Sequence, residues 1–355
     1  MIPASGRKTP CIASLSIAVP RFRLPQAKIK EISRTYFKEI PRIDLLLQIF
    51  DNAEVEFRHF CFAPDYYVEP RDFEQRNKDF LEQAIALSSQ AVQQALGGES
   101  IESIDHVIYV TTTGVMTPSL EAHLYNRIGL RADVRRSPLF GIGCAGGVNA
   151  LAHARDFALA YPQSRTLILC VELCGQTFQK GDFSPRNLVA TSLFGDGIAA
   201  LMVDGSERET KGPQILAAHS ELIPDSLDVM GWDVTSNGLE LILSPEVGRY
   251  VHDYLPQVVD RFLKSEQMEL SDIDYCIFHP GGPKILNAYQ EVFQLQPEAL
   301  RFSRHVLRCY GNVSSASVLF VLKDAIDHGH PAEGQIGLVA AMGPGFAAEL
   351  ALVRF

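Results

Sequence analysis

The feature that most limits the folds open to this chain is that it repeats itself. Residues 195–203 (GDGIAALMV) are echoed by residues 343–353 (GPGFAAELALV). The apolar run before the first, 166–172 (TLILCVE), matches 336–342 (IGLVAAM) before the second. Further back, a helical pattern opening at Cys144 pairs with one opening at Asn312. The strand-like HVIYVTTTG (106–114) pairs with DYCIFHPGG (274–282). Four elements recur in the same order, which points to duplicated halves rather than chance likeness of apolar strands. The polar stretch 204–213 (DGSERETKGP) is the natural joint, dividing the chain into halves 1–204 and 213–355.

The pattern within each half predicts strands at 106–110, 138–142, 166–171, 198–203, 275–278, 337–341 and 348–353. Helices are expected at 80–96, 119–128, 146–161, 246–265, 284–293 and 312–328. Strands alternating with helices define a layered α/β protein. Continuous apolar strands such as TLILCV suit a sheet covered on both faces. The opening segment MIPASGRKTPCIASLSIAVPRFRLP has an apolar run broken by Ser and Pro. It is therefore read as a first strand, not a signal peptide. No stretch of about 20 apolar residues offers a membrane span.

With 355 residues, 46% of them hydrophobic, the chain can build a large core. Its net charge of −10 gives no overall basic footprint for nucleic acid. A local basic patch could still hold coenzyme A. The seven cysteines are scattered, with no C-x-x-C pair near histidines, so no zinc site is expected. A soluble protein of the reducing cytoplasm follows from these features.

Three positions carry the chemistry. Cys144 stands in SPLFGIGCAGGVNALAHA, where an apolar strand ends, glycines allow a sharp turn and a helix begins. A thiol there faces a helix N-terminus, whose dipole favours the thiolate, and the glycines leave room for a thioester. The alternative is a buried structural cysteine, the ordinary fate of a free Cys and the reading given to the other six. His279 ends the strand YCIF and begins HPGGPK, in position to act as a base or oxyanion donor; a solvated loop histidine is the alternative. Asn312, in CYGNVSSASVLFVL, is either a helix N-cap or an amide donor to a developing oxyanion. The loops FGDG (194–197) and GPGFAAE (343–349) are weaker signals. The duplication places Cys144, His279 and Asn312 near the ends of corresponding elements, where the halves meet.

Taken with TTTGVMTPSL, GIGCAGG, SLFGDGIAA, FHPGGPKIL, YGNVSSASVLFVL and GPGFAAE, the chain resembles the type III polyketide synthases. These are the chalcone-synthase-like branch of the thiolase fold, and the resemblance runs from about Ile12 to Phe355. MGWDV (230–234) looks like the bacterial branch that includes alkylpyrone and alkylresorcinol synthases. The resemblance implies a thiolase-like five-layered αβαβα fold with two duplicated halves, and a homodimer. It implies that Cys144 takes an acyl starter from an acyl-CoA. His279 and Asn312 would stabilise the enolate left when malonyl-CoA loses carbon dioxide, and that enolate attacks the acyl group. His279 would also hold Cys144 as a thiolate. The product would be a pyrone or a resorcinol-type ring. Phe194 matches a gatekeeper between coenzyme A tunnel and cavity. Thr112, Thr113, Cys174, Thr177 and Leu241 match cavity positions, and Gly281 falls in the His279 loop. Thr117 matches a residue reaching into the partner subunit's cavity. Gly343, Pro344 and Gly345 match the loop shaping the site's floor. No metal or further cofactor is implied beyond the coenzyme A thioesters that serve as substrates.

The chain departs from the plant enzymes in places. The stretch LLLQIFDNA has lost the basic residues that contact the coenzyme A phosphates there, leaving Arg42, Arg58 and Lys284 as candidates. Leu241 stands where the plant enzymes often have Phe, and Trp232 falls near another cavity position. A ketoacyl-synthase III-like enzyme is the nearest alternative. That family usually carries Gln and Ala after its His, whereas Pro280, Gly281 and Gly282 follow here. A hydroxymethylglutaryl-CoA synthase would need a catalytic Glu in a suitable motif. A non-catalytic acyl-binding member of the fold would tend to have lost the nucleophile, and a thiol redox protein would want a C-x-x-C pair. Leu241 and the bacterial-like motifs together point to an aliphatic starter.

Overall fold

The computed structural model describes residues 9–355. The first eight residues of the opening segment, and so the start of the expected N-terminal half, lie outside the described residues. Strands are β1 (Cys11–Ala18), β2 (Phe22–Pro25), β3 (Phe57–Phe60), β4 (His106–Thr111), β5 (Arg135–Phe140), β6 (Arg165–Leu173) and β7 (Asp196–Asp204). They continue with β8 (Gln214–Leu222), β9 (Met230–Thr235), β10 (Gly238–Leu243), β11 (Tyr275–Phe278), β12 (Ile336–Gly343) and β13 (Ala347–Arg354).

Nine of these form one sheet in the order β11–β12–β13–β8–β1–β7–β6–β4–β5. The duplication is visible in its pairing. On one side β1 runs antiparallel to β7, β7 antiparallel to β6, and β6 parallel to β4. On the other, β8 runs antiparallel to β13, β13 antiparallel to β12, and β12 parallel to β11. The two sets meet at a single pair, Cys11 opposite Gln214.

Alternation along the strands separates the layers. In β7, Ile198, Ala200 and Met202 face a core shared with Phe80, Ala84, Ala91 and Val92 of the helix Phe73–Leu96. Ala199, Leu201 and Val203 face the opposite way, onto the helices Gly146–Ala160 and Ser317–Gly329. In β13, Ala351 and Val353 reach those same central helices from the other side. Ala348, Leu350 and Leu352 pack on the outer helices Val247–Ser265 and Pro283–Val292. The sequence of layers is helix, sheet, helix pair, sheet, helix: the five-layered αβαβα arrangement. Burying a large aliphatic side chain contributes about 1.5–3 kcal/mol, so these period-two faces hold the layers in register.

The central helices approach closely. A Cβ on Gly147 would sit 2.4 Å from the Ser315 carbonyl oxygen, so only glycine fits where the two helix starts cross. Two expectations shift. The strand expected at 138–142 is β5, three residues earlier, because Gly141 takes a φ of +86° and turns the chain. The helix expected from 312 begins at Ser317, after a tight turn at Ser314–Ala316. Sequence reading missed the hairpin β9–β10, the pair β2–β3 and the helices Gln26–Tyr36, Pro185–Leu193 and Arg301–Tyr310.

Candidate active site

Cys144 lies in a tight turn, Gly143–Ala145, that leads from β5 into the helix Gly146–Ala160. Gly143 has a φ of +57°, and a Cβ there would stand 2.4 Å from Pro344 Cδ. Gly343 closes on the same turn, since its Cβ would be 2.4 Å from the Ile142 carbonyl oxygen. The 343–345 loop is therefore pressed directly against the cysteine turn, with Gly345 beyond it beside Leu222. Cys144 is 6% exposed. Burial pushes the thiol up to about 12 and the nearby Glu172 charge adds to this, while hydrogen bonds from Ser314 and Asn312 pull the other way. Desolvation is the largest of these influences.

Asn312 is a cap, as one of its two readings expected. Its Oδ1 accepts from the Ser314 N–H at 2.8 Å and from Ser317 Oγ at 3.4 Å, capping the turn that opens the second central helix. The Asn312 side chain also acts to lower the Cys144 pKa. The backbone of Asn312 is fixed as well. Its N–H donates to Leu193 O at 2.8 Å, and its carbonyl accepts from Gly195 N at 3.0 Å, so residue 194 and Asn312 form a parallel bridge.

His279 follows β11 and is 3% exposed, with its N–H on Ala340 O at 2.8 Å. Neither ring nitrogen has a hydrogen-bond partner. Burial alone lowers the ring to about 3, so it is a neutral imidazole at pH 7. The solvated-loop alternative is excluded. Gly281 and Gly282 follow it, and a Cβ on Gly282 would lie 3.4 Å from Leu193 Cδ1. The His279 loop and Asn312 thus brace the same residue, Leu193. Tyr289, on the helix after the His279 loop, is buried, and burial raises its pKa.

A residue that sequence reading missed sits beneath. Glu172, at the end of β6, is fully buried. It accepts from Thr112 N at 3.1 Å, Thr112 Oγ1 at 3.2 Å, Thr113 Oγ1 at 2.7 Å and Ser315 Oγ at 2.5 Å. Burial raises its pKa and these donors oppose the rise. Thr112 and Thr113 therefore belong to this network, and Thr112 Oγ1 also meets Ser314 Oγ at 3.3 Å. The signal was a carboxylate inside an otherwise apolar strand.

Beside this cluster a cavity of about 850 Å³, its mouth included, opens between the helices Gln26–Tyr36 and Pro185–Leu193 and the β9–β10 hairpin. Phe194, Cys174, Thr177 and Leu241 line it; Cys144, His279 and Asn312 do not. Phe194 stands between the two, on the cavity wall and backbone-paired to Asn312. Leu241 lies opposite Trp232 in the hairpin, and both face the cavity with Ile29, Ile32 and Phe60. Thr117 is exposed on this chain, away from its own cavity. Of the three basic candidates for phosphate contact, Arg42 and Lys284 are exposed, but Arg58 is 1% exposed and bonded internally. It cannot serve a phosphate in solvent.

Cys144, Asn312 and His279 stand at the ends of corresponding elements of the two halves, in the layered fold of the thiolase-type condensing enzymes. The N-terminal domain of chalcone and stilbene synthases matches residues 67–207, and the C-terminal domain matches 214–355. The chain therefore belongs to the chalcone and stilbene synthase family, the type III polyketide synthases. It is 37% identical to the 1,3,6,8-tetrahydroxynaphthalene synthase of Streptomyces peucetius subsp. caesius, over 97% of this chain and 93% of that one. It is 35% identical to the enzyme of the same name from Streptomyces coelicolor, over 95% and 90%. The crystal structure of 1,3,6,8-tetrahydroxynaphthalene synthase from Streptomyces coelicolor A3(2), a bacterial type III polyketide synthase, superposes with a TM-score of 0.93. That match has 34% identity and covers 97% of this chain and 99% of the other.

Proposed function

We propose that the protein transfers an aliphatic acyl group from coenzyme A to Cys144 and extends it by decarboxylative condensation with malonyl-CoA. The observation that carries this reading is a buried thiol at the turn opening one central helix, with Asn312, which caps the turn opening the other, acting on it. In loading, the Cys144 sulfur attacks the acyl-CoA carbonyl and its proton passes to His279. The acyl–sulfur bond to coenzyme A breaks, and coenzyme A leaves as a thiol with that proton. Thiol and imidazole are both neutral at rest, so the transfer creates an ion pair with no net charge. A lone charge of either kind is what burial opposes.

Malonyl-CoA then loses carbon dioxide. The electron pair of the broken carbon–carbon bond becomes an enolate, whose oxygen meets the Asn312 N–H and a His279 N–H. The enolate carbon attacks the acyl carbonyl, and the Cys144 sulfur departs. Preorganised donors in a water-poor site supply this stabilisation, and each is typically worth 10²–10³ in rate. The apolar lining from Ile29, Ile32, Phe60, Trp232 and Leu241 supports an aliphatic chain, and a pyrone or resorcinol-type ring as product.

The homodimer is also part of this reading. Strand β5 is an outer edge of the sheet, and Phe140, Val115 and Tyr125 nearby are 54%, 41% and 40% exposed. A second copy would cover them and receive Thr117. We place the protein in the cytoplasm with its coenzyme A thioesters.

Intact-protein mass spectrometry after incubation with a series of acyl-CoAs tests the proposal. The expected result is one acyl adduct, located on Cys144 and absent from Cys144→Ala. Label elsewhere, or none with any starter, sinks the nucleophile assignment. A product made from malonyl-CoA alone, with no gain from any aliphatic starter, sinks the starter class and leaves the condensation standing.

A further inference from the structure

Arg58 is a buried cation with an unexpected set of partners. It projects from β3 beneath the C-terminal end of the helix Pro185–Leu193. Its Nη1 donates to Thr191 O at 2.6 Å and to Phe194 O at 2.8 Å. Its Nε and Nη2 donate to Gln26 Oε1 at 3.2 and 2.9 Å, and Gln26 Nε2 donates to Ser192 O at 2.8 Å. The final carbonyls of a helix have no partner within the helix and form the negative end of its dipole. Here Ala190 O accepts from Phe194 N and Leu193 O accepts from Asn312 N. Arg58 and Gln26 take the remaining carbonyls through Phe194.

This cap reaches both parts of the site. Phe194, whose carbonyl Arg58 holds, walls the cavity, and Arg58 itself lines it. Leu193, between two clamped carbonyls, fixes the backbone of Asn312. The Arg58 stem packs against the preceding residue as well: a Cβ on Gly311 would lie 2.9 Å from Arg58 Cδ and 2.5 Å from Leu193 O. No ion pair neutralises the guanidinium within the salt-bridge distance among the described residues. Asp196, the carboxylate whose charge acts on Arg58, accepts instead from Cys61 N at 2.9 Å and Gly175 N at 2.7 Å. A charged fork has been buried against neutral carbonyls, where only its geometry is used.

We infer that Arg58 is a positioning residue for the condensation: by capping the helix Pro185–Leu193 it sets where Asn312 points its amide and where Phe194 walls the cavity. This rests on the reading of Cys144 and Asn312 proposed above. Arg58 touches no reacting atom. Lysine can reach one or two carbonyls from a single nitrogen, but it lacks the planar fork that holds Gln26 at the same time.

The test compares wild type, Arg58→Lys and Arg58→Met, each normalised to the Cys144 that accepts an acyl adduct by mass spectrometry. Displacements of about 1 Å in such sites lower rates by up to about 10²-fold. Arg58→Lys is expected to load Cys144 fully and lose about tenfold in condensation kcat per loaded site, with KM for acyl-CoA within about threefold. Its distribution of product chain lengths should broaden. Arg58→Met should lose more kcat than Arg58→Lys; if it does not fold, Arg58→Lys decides alone. Wild-type kcat per loaded site and a wild-type product profile in Arg58→Lys would overturn the positioning role, whatever its melting temperature. Failure of wild type itself to load Cys144 overturns the underlying reading instead, so the two failures are distinct.

Discussion

Asn312 offers the sharpest separation of architecture from chemistry, because its two ends do different jobs. Asn312→Ala removes both. Losing the cap is worth about 1 kcal/mol. That cap is the bond to the Ser314 N–H at 2.8 Å, and leaving this donor unpaired in a buried turn raises the cost to about 1–3 kcal/mol. Water entering the space left behind would reduce this, so urea unfolding should show a loss of about 1–3 kcal/mol. Activity should fall further, by about 10²–10³ in kcat, for one missing enolate donor. Asn312→Asp is the informative partner. It keeps an oxygen for Ser314 and Ser317, so the cap survives, and any loss of stability comes from burying the new carboxyl at a position 3% exposed. It also replaces the NH2 with an acceptor beside a thiol already pushed up to about 12 by burial and the Glu172 charge. Condensation should then drop at least as far as in the alanine variant, and loading of Cys144 should slow too. The assays are urea denaturation, malonyl-CoA decarboxylation, condensation, and the rate of adduct formation. Asn312→Asp with condensation within threefold of wild type would refute the donor role. Asn312→Ala with full stability would refute the cap.

Two further outcomes follow from particular residues. Trp232→Ala opens the cavity opposite Leu241; one methylene in an apolar pocket is worth about 10-fold or more in discrimination, so competition between acyl-CoAs should shift by at least that toward longer chains, and an unchanged preference removes Trp232 from the wall that measures them. His279 titrates at about 3 in the fold, well below the 6.5 of an exposed imidazole, so the unfolded chain alone gains its proton as pH falls between those values. Wild type should therefore lose about 1.4 kcal/mol of stability per pH unit through this group, with His106, lowered to about 4, acting in the same sense. His279→Gln removes its share, so from pH 7 to 5 the variant should gain on wild type by about 2 kcal/mol in urea unfolding; parallel pH curves would mean that His279 is not buried as neutral imidazole.

The layered core was legible because it is written in a short-range code. Strands such as TLILCVE and IGLVAAM carry continuous apolar runs, and the duplication repeated each element in order, so one half checked the other. The places of Cys144, His279 and Asn312 at element ends were legible for a related reason: each stands where an apolar strand or a glycine turn ends. What escaped was whatever depends on a partner distant in sequence. The cavity walls come from β2, β3, the helix Gln26–Tyr36 and the β9–β10 hairpin, short elements of four to eleven residues with mixed polarity and no repeat. Arg58 shows the limit most clearly. In FRHF it is a candidate for phosphate contact, and nothing nearby says otherwise. Its burial is decided by carbonyls more than 130 positions away. Glu172 was more accessible: a carboxylate closing TLILCVE must be paired or neutral once the strand is central to a covered sheet. Thr112, Thr113 and Ser315 are those partners. The thiol charge could not have been read at all. Helix dipole and burial oppose each other at Cys144, and local sequence reports the dipole while only packing reports the burial.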